Sequence, residues 1–433
     1  MLSADIKDFL KNVARSKFAK STLILTVGTA ISQFLPLIIY PILGRIYTPE
    51  EFGVLTALTS ITNILVSVST GKYELAVLVA DSDKEAARIT VLSIVISGLL
   101  LAAMLIPFYF FRKQIGVLCG CGDIGYLVLI CPISAFFIVF FNCYNEWCVR
   151  KTYYKNLASN KITNSFAVTF GKLAFGFTKI KTIGLVIGDL LGRFLTALGC
   201  IIRVIIKDKD SFKSILIADL NKTAKKFIDF PKYTMPAQFL NTIGSSLPVL
   251  ILGYYFNSKE IGYFGMTLSI LSVPISVISL SVKDVFRQKA NEIFIRDGHF
   301  EYLFKRIFRI LLIVSVGGSL MVVFFLPSLF EIVLGGQWRI SGMYAQIMLP
   351  MTILDFIAMS LSGVLIVTNK LKQNFYWQVY YTIISIVSLL IGCIWIRSIT
   401  ATLILFSLGR CSAYAYLLLI SYRCSKKANV ENC

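Results

Sequence analysis

Long apolar runs, each about the length of a bilayer crossing, alternate with short charged stretches along the whole chain. A transmembrane helix needs roughly 20 mainly apolar residues. The pattern predicts twelve of them, near 21–44, 51–71, 86–111, 124–148, 156–178, 182–206, 233–256, 260–282, 308–330, 339–368, 374–396 and 398–422. The expected fold is therefore all-α and polytopic. The fifth run is the least apolar, with Asn160, Lys161, Thr163, Asn164, Ser165 and Lys172 inside it. Such a helix must turn its polar face to a bundle interior or a wet cavity, because a charge in hydrocarbon costs roughly 2.5–3.5 kcal/mol on insertion scales. Ahead of the first run, residues 3–20 set Ile6, Phe9, Leu10 and Val13 at helical spacing among lysines. That pattern suits an amphipathic helix lying on a membrane surface.

The pattern also repeats. Leu35-Pro36 precedes Phe52-Gly53 by the same distance as Leu247-Pro248 precedes Phe264-Gly265. Each half has a proline-broken helix, a short outer loop, and Phe-Gly opening the next helix. Six spans separate the copies, so both run the same way across the membrane. Two parallel six-helix lobes around a central cavity follow, a common transporter plan. Their expected bounds are 21–206 and 233–433, joined by the basic stretch 207–232. Pro36, Pro41, Pro132, Pro236, Pro248, Pro274 and Pro350 all fall within spans. Kinked helices suit a bundle that rocks between inward- and outward-open states.

Composition narrows the class. Of 433 residues, 56% are apolar and only 15% charged, against about 45–50% and 25% in soluble domains. A soluble enzyme and a disordered chain are both excluded. The net charge of +20 would point a soluble protein toward nucleic acid. Here most Lys and Arg gather on one side of the predicted spans: at the N-terminus, in 207–232, in 283–309 and at the C-terminus. By the positive-inside rule both termini are cytoplasmic, and no nucleic-acid partner is implied. Trp147, Trp338, Trp377 and Trp395 lie near span ends, where indoles favour the interface. Most of the ten cysteines sit in apolar runs and read as small buried residues. No His, Cys and Asp cluster has metal spacing, no phosphate-binding glycine loop occurs, and no loop is large enough for a catalytic domain. The expectation is a non-enzyme with no catalytic residue, no metal and no cofactor.

The charges inside spans carry the candidate chemistry. Lys161 and Lys172 are about three turns apart and share a helix face. Arg193 falls near the middle of the sixth span, and Asp189 matches Lys172 in depth. Asp355 and Arg410 fall near mid-membrane in the second lobe. A ladder of cations suits an anion crossing stepwise, such as a phosphate group. The competing arrangement is internal pairing, Asp189 with Arg193 at i,i+4 and Asp355 with Arg410. Lys161 has no evident partner and is the leading candidate for a substrate contact.

Tyr40-Pro41-Ile42-Leu43-Gly44-Arg45-Ile46-Tyr47-Thr48-Pro49-Glu50-Glu51-Phe52-Gly53 resembles the first-loop signature of bacterial polysaccharide flippases. Gly71-Lys72-Tyr73-Glu74-Leu75-Ala76 resembles the stretch that closes their second span. Phe230-Pro231-Lys232-Tyr233, with Pro236, Asn241 and Pro248, resembles the start of their second lobe. The family is the Wzx-type O-antigen flippases, polysaccharide transporters of the multidrug/oligosaccharidyl-lipid/polysaccharide exporter superfamily. The resemblance implies an alternating-access transporter of the bacterial inner membrane. It would move undecaprenyl-diphosphate-linked oligosaccharide from the cytoplasmic to the periplasmic leaflet, for lipopolysaccharide or related polysaccharide biosynthesis. Membrane lipid would be a partner, and a polysaccharide polymerase and chain-length regulator would be neighbours in the pathway. The family's lumen cations vary, so Lys161, Lys172, Arg193 and Arg410 rest on depth alone as cavity cations. Coupling to a H+ or Na+ gradient would fall to Asp189, Glu74 or Asp355. A drug or small-molecule exporter of the same superfamily should prefer acidic lumen residues. A membrane polysaccharide polymerase should have a longer outer loop than 112–123.

Overall fold

The structure is a computed structural model that describes residues 17–119, 122–178, 180–213, 215 and 217–426. The predicted surface helix at 3–20 lies outside the described residues, except for its last few, which begin the first helix. Helices α1 (Lys17–Ile46), α2 (Pro49–Ser69), α3 (Asp83–Phe110), α4 (Ile130–Arg150), α5 (Tyr154–Gly176) and α6 (Lys181–Lys207) make up the first half. The short α7 (Ile217–Lys226) follows. Helices α8 (Met235–Tyr255), α9 (Ser258–Asp297), α10 (Glu301–Val322), α11 (Leu326–Leu334), α12 (Arg339–Leu361), α13 (Leu371–Ile391) and α14 (Ile399–Ser425) make up the second. No strand occurs among the described residues. In a bilayer only helices and closed barrels satisfy every backbone donor and acceptor, so an apolar chain without strands has this one solution.

Eleven segments among the described residues are long and apolar enough to cross a membrane. The fifth predicted span, α5, is long enough at 23 residues but too polar to count among them. Two boundaries also differ from expectation. The eighth span runs on well past 282, to Asp297, because its polar continuation is still good helix former with no stop signal before Gly298, whose φ of 70° closes it. The ninth is broken into α10 and α11 by a tight turn at Val323–Phe325, ahead of Pro327. The matched halves do agree at the turn after the first helix of each: α1 ends at Ile46 with α2 starting at Pro49, and α8 ends at Tyr255 with α9 starting at Ser258.

The helices form two compact units. One takes the chain through Ile39, then Leu65–Phe110 and Leu129–Pro236; the other takes Tyr40–Ile64, Phe111–Val128 and the chain from Ala237. The stretch 207–232 is not a loose connection. Phe212, Leu220, Ala224, Phe227 and Phe230 pack into the apolar core of the first unit around Ile89 and Trp147. Ion pairs tie the same stretch to α3 and the turn before it: Arg88 to Asp219 at 3.3 Å, and Lys226 to Asp81 and Glu85 at 2.6 Å each. The bonded Lys226 holds the Asp81 carboxyl below the usual carboxylate range.

In the second unit the Phe52-Gly53 repeat acquires a reason. A Cβ on Gly53 would lie 1.7 Å from the Ser258 carbonyl oxygen, and one on Gly262 would lie 1.8 Å from that of Pro49. Helices α2 and α9 cross backbone against backbone, which only glycine permits. The last carbonyls of α1 are orphaned like those of any helix end. Gly44 O accepts from Gln337 Nε2 and Trp338 Nε1, both at 2.7 Å. The expectation of four interfacial tryptophans is thereby corrected. Trp147 and Trp338 are fully buried and Trp377 nearly so; only Trp395, 82% exposed, stands at a surface. Each buried indole fills core volume, and both Trp338 and Trp377 donate to a backbone carbonyl.

Candidate functional site

The polar centre of the first unit is built on the contact between α5 and α6. Gly184, Gly188 and Gly192 recur every four residues along α6. A Cβ on Gly188 would meet Gly171 O at 2.5 Å, and one on Gly192 would meet the Val168 backbone at 2.4 Å. Small residues at this spacing let two membrane helices touch backbones. The next residue after each contacting glycine is charged: Lys172 follows Gly171, and Asp189 follows Gly188. The contact therefore delivers Lys172 Nζ to Asp189 Oδ1 at 2.8 Å. Arg193, one turn along α6, reaches Asp189 Oδ2 at 2.6 Å. Asp189 is buried at 6% exposure. An ionised carboxylate there needs compensation for its lost hydration, and two cations supply it.

Of the two arrangements open for these charges, internal pairing is the one found at Asp189. Lys172 and Arg193 share one carboxylate, and the i,i+4 pairing alternative holds for Asp189. Lys161 also has a partner, contrary to expectation: its Nζ donates to Thr29 Oγ1 on α1 at 3.0 Å. That partner is neutral, so the lysine's charge is not cancelled. One turn further along α5, Ser165 Oγ donates to Ser32 O at 2.6 Å. Pro36, four residues on, has no N–H to offer that carbonyl, so the serine fills the gap. Lys161, Lys172, Arg193 and Asp189 together carry three positive charges and one negative. Asp189 with its two cations has a net charge of +1, and Lys161 adds a separate positive charge about three turns away on α5.

In the second unit Arg410 is buried at 8% exposure. It makes no direct ion pair with Asp355, although the two charges lie close enough to act on each other through space. Its Nη2 donates to Gly244 O at 2.7 Å, and its guanidinium lies 4.7 Å from the Tyr381 ring and 4.6 Å from the Phe406 ring. Gly244 precedes Pro248 by four residues, so its carbonyl too is freed by a proline. Arg410 is held by a backbone oxygen and two aromatic faces. Asp355 Oδ1 is buried with no hydrogen-bond partner. Glu74 stands apart from Asp189, in the turn Tyr73–Val79 after α2; its Oε1 pairs with Lys72 at 3.3 Å, and its Oε2 is buried and unpartnered. Among the described residues no group of His, Cys, Asp and Glu could hold a metal ion.

The four-residue spacing of the α6 glycines is a signal for this contact that the sequence alone carries. The roles of Thr29 and Ser165 had no such signal, since hydroxyls in membrane helices usually bond their own helix.

The family of polysaccharide biosynthesis proteins matches residues 42–342. The chain belongs to that family. No curated protein matches it in sequence. Among solved structures, the lipid II flippase MurJ in an inward closed conformation superposes with TM-score 0.73 at 16% identity, covering 93% of this chain and 90% of that one. An inward-facing multidrug resistance MATE transporter of the MOP superfamily superposes with TM-score 0.72 at 14% identity, covering 94% and 99%. A MOP superfamily transporter from Pyrococcus furiosus gives 0.64 at 14%, covering 96% and 98%. The chain has the MOP transporter fold, and this family member is a multi-pass membrane protein.

Proposed function

We propose that the protein flips a lipid-linked oligosaccharide, carried on undecaprenyl diphosphate, from the cytoplasmic to the periplasmic leaflet of the bacterial inner membrane by alternating access. The observation that carries this reading is the half-buried Lys161 on α5, whose partner Thr29 is neutral and leaves its charge uncancelled. A diphosphate diester bears two negative charges at neutral pH, and its sugar head cannot cross hydrocarbon unaided. Cations partly exposed inside the membrane lower the cost of moving such a group. The family's place in polysaccharide biosynthesis and the fold shared with a lipid II flippase support the same substrate class. Both termini are cytoplasmic in this reading, in keeping with the positive-inside count. The product serves O-antigen or a related glycan, with a polymerase and chain-length regulator acting on it afterwards.

Of the three carboxylates considered for H+ or Na+ coupling, Asp189 is already paired with two cations. Glu74 and Asp355, each with a buried oxygen that no hydrogen bond reaches, are the other two candidates. An exporter of cationic drugs, the second reading, has the MATE fold in its favour but meets an uncancelled charge of the wrong sign at Lys161. Deleting the gene is expected to remove the surface glycan while lipid-linked repeat units accumulate on the cytoplasmic leaflet. If the lipid-linked unit never forms in the deletion strain, the protein acts at an earlier, synthetic step.

A further inference from the structure

Helices α1 and α5 meet along a seam whose two sides differ. Gly28 and Ala158 form its floor; a Cβ on Gly28 would lie 2.5 Å from that of Ala158. On one side Lys161 and Ser165 bond to Thr29 and to the Ser32 carbonyl. On the other, about a third of a turn round each helix at 100° per residue, lies an open groove of about 510 Å³. Ile24, Val27 and Ile31 of α1 and Ala158 and Ile162 of α5 supply its apolar lining, and Lys155 stands at its end. Val27 and Ile31 are nearly half exposed. Lys155 opens α5 on the cytoplasmic side by the positive-inside reading; it is exposed and makes no ion pair among the described residues.

We propose that this groove seats the polyprenyl tail of a phosphate-headed lipid, with Lys155 receiving the phosphate. Three features select that occupant. A furrow between two helices is one chain wide, whereas a phospholipid brings two acyl chains. The lining is largely β-branched, which suits the methyl branches of isoprene units. A single unpaired cation stands where the one head of such a lipid would be. The tail then lies one helix-width from Lys161, so head and tail of one amphiphile meet opposite sides of one seam. This rests on the reading that the substrate is a lipid-linked glycan and adds where its lipid part binds.

The test uses the full chain in phosphatidylethanolamine nanodiscs with a polyprenyl monophosphate that carries a diazirine in its first isoprene unit. After irradiation, label is expected on peptides spanning 24–31 and 155–163. Unlabelled polyprenyl phosphate should displace it and phosphatidylglycerol should not. Lys155→Glu lies on the surface and leaves the fold intact; it should cut labelling about tenfold, as loss of one charge-assisted contact would, while Lys155→Arg keeps most of it. Ile162→Trp should block the groove. Label elsewhere, or equal displacement by phosphatidylglycerol, overturns the inference, the second result marking an ordinary lipid-facing furrow. A glycan flipping assay on the same variants separates the two readings. Groove labelling with no flipping by the unmodified protein refutes the function and leaves the site. Normal flipping by a non-labelling Ile162→Trp protein overturns the inference that the groove seats the flipped substrate's tail and leaves the function.

Discussion

Both units contain a helix that carries a proline inside it at matching positions, and each must satisfy the carbonyl that the proline frees. In the first unit Pro36 frees Ser32 O, and the neutral hydroxyl of Ser165 takes it at 2.6 Å. In the second, Pro248 frees Gly244 O, and the charged guanidinium of Arg410 takes it at 2.7 Å. The consequence for function is large. Where a hydroxyl takes that carbonyl, the neighbouring Lys161 stays half-buried with only a neutral partner. Where an arginine takes it, the charge is committed to the backbone and covered by Tyr381 and Phe406. Four intramembrane cations that looked alike in sequence therefore differ in kind. A charge inside a membrane marks a substrate contact only when no backbone oxygen, carboxylate or ring has already claimed it.

The sharpest way to break the comparison is to part the helices that carry the first unit's charges. Gly188→Leu forces atoms where a Cβ already lies 2.5 Å from Gly171 O, so no folded protein should be extractable from the membrane. Gly199→Leu is the control, with nothing within 4 Å of its Cβ, and it should extract as a monodisperse peak. Milder is Asp189→Asn, which strands Lys172 and Arg193. Breaking a buried ion pair costs about 3–5 kcal/mol; with both cations 19% exposed, the lower end is expected, read as a fall in thermal stability in detergent. Asp189→Asn combined with Lys172→Met should recover part of it.

Next comes the second unit's proline. Arg410→Met leaves Gly244 O unsatisfied and should cost about 1–3 kcal/mol. Adding Pro248→Ala returns an N–H to that carbonyl, so the double variant should be more stable than the sum of the single changes, a coupling that a double-mutant cycle measures. Arg410→Lys should not rescue, because an ammonium lacks the planar face that stacks on both rings. The smallest stability effect and the cleanest functional one belong to Lys161. Lys161→Ala should leave membrane levels near normal and lower surface glycan per inserted protein; Lys161→Arg should keep part of the activity, and Lys161→Glu should be worst. Equal glycan in all three would remove Lys161 from the substrate path. An unstable Ala variant would make its bond to Thr29 a structural one, like that of Arg410.

What the sequence determined by itself is what depends on local composition. Hydropathy is a property of consecutive residues, so the all-α class, the positions of the spans and the turns after Ile46 and Tyr255 were readable from it. The polar character of α5 was readable for the same reason. The tertiary structure decided the partnerships. Lys172 meets Asp189 because two glycines let α5 and α6 touch, Trp338 is buried because it caps the far-removed Gly44 carbonyl, and 207–232 is docked because its phenylalanines fill a core around Ile89. Each of these joins residues distant in the chain. A hydrogen bond or ion pair needs atoms within about 3 Å, and only the packing of whole helices brings such residues that close.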